Sequence, residues 1–196
     1  MEQRPATSPE QVPHFDTAAL RAHYLVPDLF KADQVKLVYT HHDRIVLGGL
    51  TPVSRPLTLA APAELRAETF FAGREAGLVN VGGPGVVAVG PDERRLDRGD
   101  CLYIGRGAPD PVFASQEPGE PARFYVFSAP AHATHPTSLA TAAQAAAREL
   151  GDQSTSNRRV IRQYIHQGAI QSCQVVMGVT TLEPGSMWNT MPAHTH

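Results

Sequence analysis

Cysteine is scarce. Cys101 and Cys173 are the only two in 196 residues, too few for a disulfide framework, and a reducing cytoplasm suits both. Each reads as a small buried hydrophobe within a strand. Long apolar runs are missing as well. No stretch approaches the roughly 20 residues of a membrane span, so no membrane partner is expected. Residues 1–13 are polar and contain proline, without the apolar centre of a secretion signal. The chain is therefore expected in the cytoplasm. Charge is thin: charged residues make up 18% and the formal net charge is −2, which gives no hint of a polyanionic partner. Basic runs go no further than Arg94-Arg95 and Arg158-Arg159, which argues against nucleic acid.

What the sequence does have is turn-forming residues, with 16 glycines and 17 prolines and no repeat period. That pattern suits an all-β protein with tight turns better than a helical bundle. Asp16-Thr17 offers an N-cap for a short helix through about Tyr24, with Leu20 and Tyr24 on one face. From Gln34 the period becomes two. Val35, Leu37 and Tyr39 alternate with polar neighbours, and Ile45-Val46-Leu47 runs into Gly48-Gly49. Roughly eight short strands are expected before Pro130, spaced like those of a sandwich or barrel. Gly82-Gly83-Pro84-Gly85 lies between apolar β-branched runs and lacks the Lys-Ser/Thr of a phosphate loop, so it reads as a hairpin turn. Gly99-Asp100 reads as a similar device before Cys101-Leu102-Tyr103-Ile104.

The pattern changes after residue 130. The alanine-rich Thr141–Leu150 predicts a helix stopped by Gly151, and Gln153 to Asn157 reads as a linker. Val160-Ile161, Gln174 to Val179 and Met187-Trp188 then read as strands, with Glu183-Pro184-Gly185 as a turn. A second β-domain therefore opens near residue 151, with about three strands present.

The chain ends on His194-Thr195-His196. On a β-strand, residues i and i+2 project from one face, so both imidazoles can reach one metal ion. A divalent site normally takes three or four ligands, and this reading supplies two. Leu182-Glu183-Pro184-Gly185-Ser186 followed by that H-x-H resembles the opening of the cupin metal motif. Among other polar candidates, His41 and His42 fit either a polar turn or a substrate role. His132 and His135 fit structural or surface roles. Arg158 and Arg159 suit either bidentate binding of a carboxylate or a salt bridge. Trp188 fits either core packing or stacking on a sugar.

Longer words carry a more specific resemblance. Trp188-Asn189-Thr190-Met191-Pro192-Ala193-His194-Thr195-His196 resembles the 5-keto-4-deoxyuronate isomerases (4-deoxy-L-threo-5-hexosulose-uronate ketol-isomerases) of pectin breakdown. Val38 to Ile45 with Gly48-Gly49, and Gly77 to Gly83 with Leu102 to Gly105, are similar to that family's first β-domain. Ser128 to His132 with Pro136-Thr137, and Ser156 to Arg159, are similar to its connector.

The resemblance implies an all-β, cupin-like β-sandwich or jelly roll, complete in one domain, with the first strands of a second. The corresponding divisions are a mobile lead-in over 1–13, an N-terminal cupin-like domain over 14–137, a connector over 138–157, and the start of a metal-binding domain over 158–196. It also implies zinc, a homohexamer and a small uronate-derived keto sugar as substrate. His194 and His196 fall on the first two positions of the family's H-x-H-x-x-x-x-E ligand pattern. The later glutamate and histidine have no counterpart in these 196 residues. The expectation is a zinc-dependent ketol-isomerase that is C-terminally truncated and inactive as it stands, with its catalytic base unidentified. The competing readings are a non-catalytic cupin scaffold for carbohydrate binding or assembly, and another metal-dependent cupin such as an oxygenase.

Overall fold

The structure, a computed structural model, describes residues 1–187. In chain order the first elements are β1 (Glu2–Arg4), α1 (Thr17–Tyr24), β2 (Val35–Thr40), β3 (Ile45–Leu50), β4 (Leu57–Thr58) and β5 (Arg74–Asn80). There follow β6 (Gly85–Val89), β7 (Asp92–Leu96), β8 (Cys101–Ile104), β9 (Val112–Ser115) and β10 (Phe124–Pro130). The last are β11 (Ser138–Ala140), β12 (Ala146–Leu150), β13 (Arg159–Ile165) and β14 (Met177–Leu182).

Strands β1-β2-β3-β10-β5-β8-β11 form one seven-stranded sheet, and β4-β9-β6-β7 a four-stranded one. The two face each other as an all-β, cupin-like sandwich. A third sheet, β12-β13-β14, covers the outer face of the larger one. Side-chain alternation accounts for this layering. On β5, Ala76 and Leu78 enter the sandwich core, which also contains Leu102 and Ile104 of β8 and Phe124 and Val126 of β10. The intervening Val79, Cys101, Tyr103 and Ala129 pack on the other side, against Tyr164, Ile165 and Val175. All seven residues of β5 are consequently buried.

The third sheet can approach closely because Gly77 has no side chain. A Cβ there would lie 2.8 Å from both Ile165 Cδ1 and Met177 Sδ. A register shift between Gln163 and Ile165 accompanies the burial of two successive side chains, Tyr164 and Ile165. Tyr164 hydroxyl donates to the Gly99 carbonyl at 2.5 Å across this boundary.

Helix α1 forms where its cap predicts, with the Asp16 carboxylate accepting from the Ala19 N–H at 2.8 Å. Its apolar residues remain open: Leu20 is 40% exposed and Tyr24 49%.

Several sequence expectations differ from the structure. Residues 141–150 are not a helix. Ala146–Leu150 is β12, paired antiparallel with β13, and tertiary pairing overrides alanine's helix propensity. The Gly82–Gly85 turn joins no hairpin. It carries the chain from β5 in the large sheet to β6 in the small one. A Cβ at Gly83 would overlap the Glu120 carbonyl, so glycine serves close approach here. Buried Asn80 holds this corner, donating to Gly83 O at 2.8 Å and Leu96 O at 2.9 Å and accepting from Gly82 N at 3.0 Å. Gly99-Asp100 likewise crosses between sheets, from β7 to β8. The true hairpin of this region is β6–β7, turning at Gly90 with φ 60°.

Residues 2–4, within the expected lead-in, pair in parallel with β2, and β11, within the expected connector, pairs with β8. Cys101 lies in β8 as read, whereas Cys173 lies in the loop before β14, not in a strand.

Candidate active site

The described residues end on a corner that leads into the H-x-H word. Asp152 to Arg158 and Glu183 to Met187 run side by side. Glu183 N–H donates to Arg158 O at 3.0 Å, Met187 N–H to Ser156 O at 2.8 Å, and Gln153 Nε2 to Pro184 O at 3.0 Å. The Glu183-Pro184-Gly185 turn forms as expected. Gly185 takes φ 82° and Ser186 N–H closes on Glu183 O at 2.9 Å. The chain thus reaches Met187 beside Ser156, next to the arginine pair. His194, His196 and Trp188 lie outside the described residues.

Arg158 and Arg159 lie at the entrance to β13, where neighbouring side chains project to opposite sides. Arg158 is exposed and stands 3.7 Å from Glu149. Arg159 is half-buried, and its Nη1 donates to Asn157 O at 3.0 Å. The two guanidinium groups thus take separate partners. An exposed pair such as Arg158–Glu149 holds its ions weakly, so Arg158 can exchange its partner for another carboxylate.

The other histidines occupy separate places. His132 is exposed and His135 half-buried in the segment after β10. His41 Nε2 lies 3.4 Å from Gln3 Oε1, and His42 Nε2 accepts from the Thr7 N–H at 3.4 Å. Among the described residues, no group of three or more His, Cys, Asp or Glu side chains could hold a metal ion.

Sequence reading passed over a carboxylate that ties the third sheet to the sandwich. Glu75 of β5 is fully buried. Its Oε1 accepts from Gln174 N at 2.7 Å and Val175 N at 2.8 Å, and its Oε2 from Cys173 N at 2.8 Å and Tyr103 hydroxyl at 2.7 Å. Burial pushes the Glu75 pKa upward. The Cys173 and Gln174 N–H groups, the Tyr103 hydroxyl and the Val175 N–H outweigh it, and the net shift is downward. The same contact helps raise Tyr103, after burial. Burial pushes the Cys101 thiol up to about 12, so it is inert as a nucleophile. The available signal for Glu75 was the pair Arg74-Glu75 inside an otherwise apolar strand.

The KduI/IolB family model matches residues 24–196. A protein of Kineococcus radiotolerans named 4-deoxy-L-threo-5-hexosulose-uronate ketol-isomerase is 60% identical over 100% of this chain and 71% of its own length. One of the same name from Lachnoclostridium phytofermentans is 49% identical over the same shares. Among solved structures, an IolB-like protein of Salmonella typhimurium aligns with a TM-score of 0.48 at 16% identity, covering 61% of this chain and 43% of that one.

Proposed function

The chain belongs to the KduI/IolB family, and from that premise we propose that it is a zinc-dependent ketol-isomerase of uronate catabolism. The reaction converts 5-dehydro-4-deoxy-D-glucuronate to 3-deoxy-D-glycero-2,5-hexodiulosonate. The carrying observation is the 60% identity, over the whole chain, to a relative bearing that enzyme's name.

The chemistry moves a proton from C2 to C1 of an open-chain α-hydroxy aldehyde, through an enediol. His194 and His196 are the zinc ligands in this reading, and two imidazoles spaced i, i+2 fit the metal's preference for nitrogen donors. When bound, zinc supplies a Lewis acid for the carbonyl oxygen. The turn at Glu183 to Ser186, held to the Ser156–Arg158 backbone, gives the ligand-bearing segment a fixed point of departure. In this reading Arg158 receives the substrate carboxylate, and its weak 3.7 Å contact with Glu149 supports that role. Arg159 and Trp188 complete the candidate substrate contacts.

A cytoplasmic, homo-oligomeric enzyme, hexameric by family, goes with this reading. Free Cys101 and Cys173 and the open apolar side chains of α1 support it. No helix of the described residues is long and apolar enough to cross a membrane. A sandwich with its own core over residues 35–130 favours one further reading, a non-catalytic scaffold for assembly or carbohydrate binding.

Chelator competition and an isomerase assay test the proposal together. The 196-residue polypeptide, carrying two of the pattern's four ligands, should bind zinc weakly and show no measurable turnover. His194→Ala and His196→Ala should each abolish that zinc binding. Tight binding that survives both substitutions places the metal elsewhere and overturns the ligand set.

A further inference from the structure

The N-terminal sandwich has a polar mouth that the proposed isomerase chemistry does not use. Arg74, the first residue of β5, is only 8% exposed. Its Nε donates to Ser128 Oγ at 3.0 Å, and its Nη2 to the carbonyls of Ser128 at 2.8 Å and Arg44 at 2.7 Å. All of these acceptors are neutral. Among the described residues, no carboxylate lies within 4.0 Å of this guanidinium. Burial lowers its pKa only to about 10, so it remains a cation at neutral pH. A buried charge with no opposite charge is costly, and neutral acceptors offset that cost only in part.

Arg74 opens onto a cavity of about 390 Å³, whose lining includes Arg44, His41, Tyr39, Gln3 and Glu64. That is room for a small sugar acid. The one carboxylate in the lining, Glu64, is already engaged by the Met1 ammonium at 2.7 Å. Arg74 Nη1 makes no hydrogen bond to any described residue. Arg44 stands on the β2–β3 turn, where Asp43 and Arg44 take φ 53° and 56°. Non-glycine residues disfavour this left-handed conformation, and two in succession at the rim of a cavity are a local strain that the fold maintains. Its effect is to hold the Arg44 carbonyl against Arg74 and the Arg44 side chain at the cavity. Arg74 is buried and Arg44 exposed, but both face this cavity, and an anion between them would be attracted to both.

We propose that this mouth binds a small oxyanion, a carboxylate or phosphate group, between the guanidinium groups of Arg74 and Arg44, with His41 at the rim. Arg74 can donate to such a group from Nη1, its other donors being taken by Ser128 and Arg44, and the Arg44 guanidinium can offer a pair of N–H donors. The site opens at the sandwich end of β5, whereas the third sheet lies on the opposite face of that strand.

Isothermal titration of the full chain with D-galacturonate, inorganic phosphate and D-galactose tests the proposal. Either anion should bind saturably and the neutral sugar should not. The anion that binds more tightly identifies the source of the group. Arg74→Met and Arg44→Asn should each weaken binding at least about tenfold. Asparagine tolerates positive φ, so the second variant keeps the turn even if the first fails to fold. Arg98→Ala, which removes a surface charge elsewhere, should change nothing, as should His194→Ala with His196→Ala. No binding of either anion, equal weakening by Arg98→Ala, or loss with the histidine pair overturns the proposal.

Discussion

Glu75 keeps a negative charge at a position closed to solvent, and every one of its partners is a donor. Replacing it with glutamine would put an amide N–H₂ against backbone N–H groups that already point inward. Glu75→Gln should therefore destabilise the chain by roughly 2–4 kcal/mol in urea denaturation, more than Tyr103→Phe at about 1–2 kcal/mol. A loss below that of Tyr103→Phe would show that the loop does not depend on the charge. The pH dependence has a definite sign. The folded pKa lies below the ordinary Glu value of about 4.3, so the contribution is present above that pH and is lost as pH falls through the lowered value. Acidification in this window should cost the wild type more stability than Glu75→Gln. These contacts were not legible in the sequence, because the backbone partners lie 98 to 100 residues further along. The H-x-H word, by contrast, can be read as a ligand pair from spacing alone, and it lies outside the described residues.

At the scale of elements, local pattern identified strands well and their partners poorly. Val35, Leu37 and Tyr39 alternate in the sequence and do form β2. The cap at Asp16 likewise set the start of α1. The alanine run misled because Ala146–Leu150 carries no period of its own, and its state is decided by the edge of β13. The glycine turns misled because glycine marks a change of direction without saying which sheet the chain enters next. Gly77 allows a test of the resulting packing. Gly77→Ala meets only the flexible ends of Ile165 and Met177, at 2.8 Å, and should cost little. Gly77→Val forces those side chains apart and should cost about 1–3 kcal/mol in thermal denaturation. Equal midpoints for the two variants would mean that the third sheet yields freely.

For the whole molecule, the central question is whether the third sheet belongs to the sandwich or only rests on it. Sequence reading placed the opening of a second β-domain near residue 151, with about three strands present. In the structure one face of those strands is covered. Tyr164, Ile165 and Val175 are buried against Val79, Cys101, Tyr103 and Ala129, and Glu75 and the Tyr164 hydroxyl add polar ties across the same boundary. Strands β5 and β8, buried on both sides, cannot lose one cover without exposing apolar side chains on their outer face. We therefore expect one cooperative transition, with near- and far-ultraviolet circular dichroism coinciding in urea. Ile165→Ala should move that entire transition by about 2–4 kcal/mol, since it empties a site between the layers. Two separated transitions, only the earlier one sensitive to Ile165→Ala, would make the third sheet an independent unit. The distinction bears on catalysis. If the layers melt together, the stability of the sandwich also fixes the corner at Ser156 and Glu183, after which the proposed zinc ligands follow in sequence. A core substitution far from any ligand, such as Leu78→Ala, should then weaken zinc binding near the unfolding midpoint while leaving it unchanged well below. Chelator competition across a urea series distinguishes that coupling from a direct effect on the histidines, which would weaken binding at every concentration.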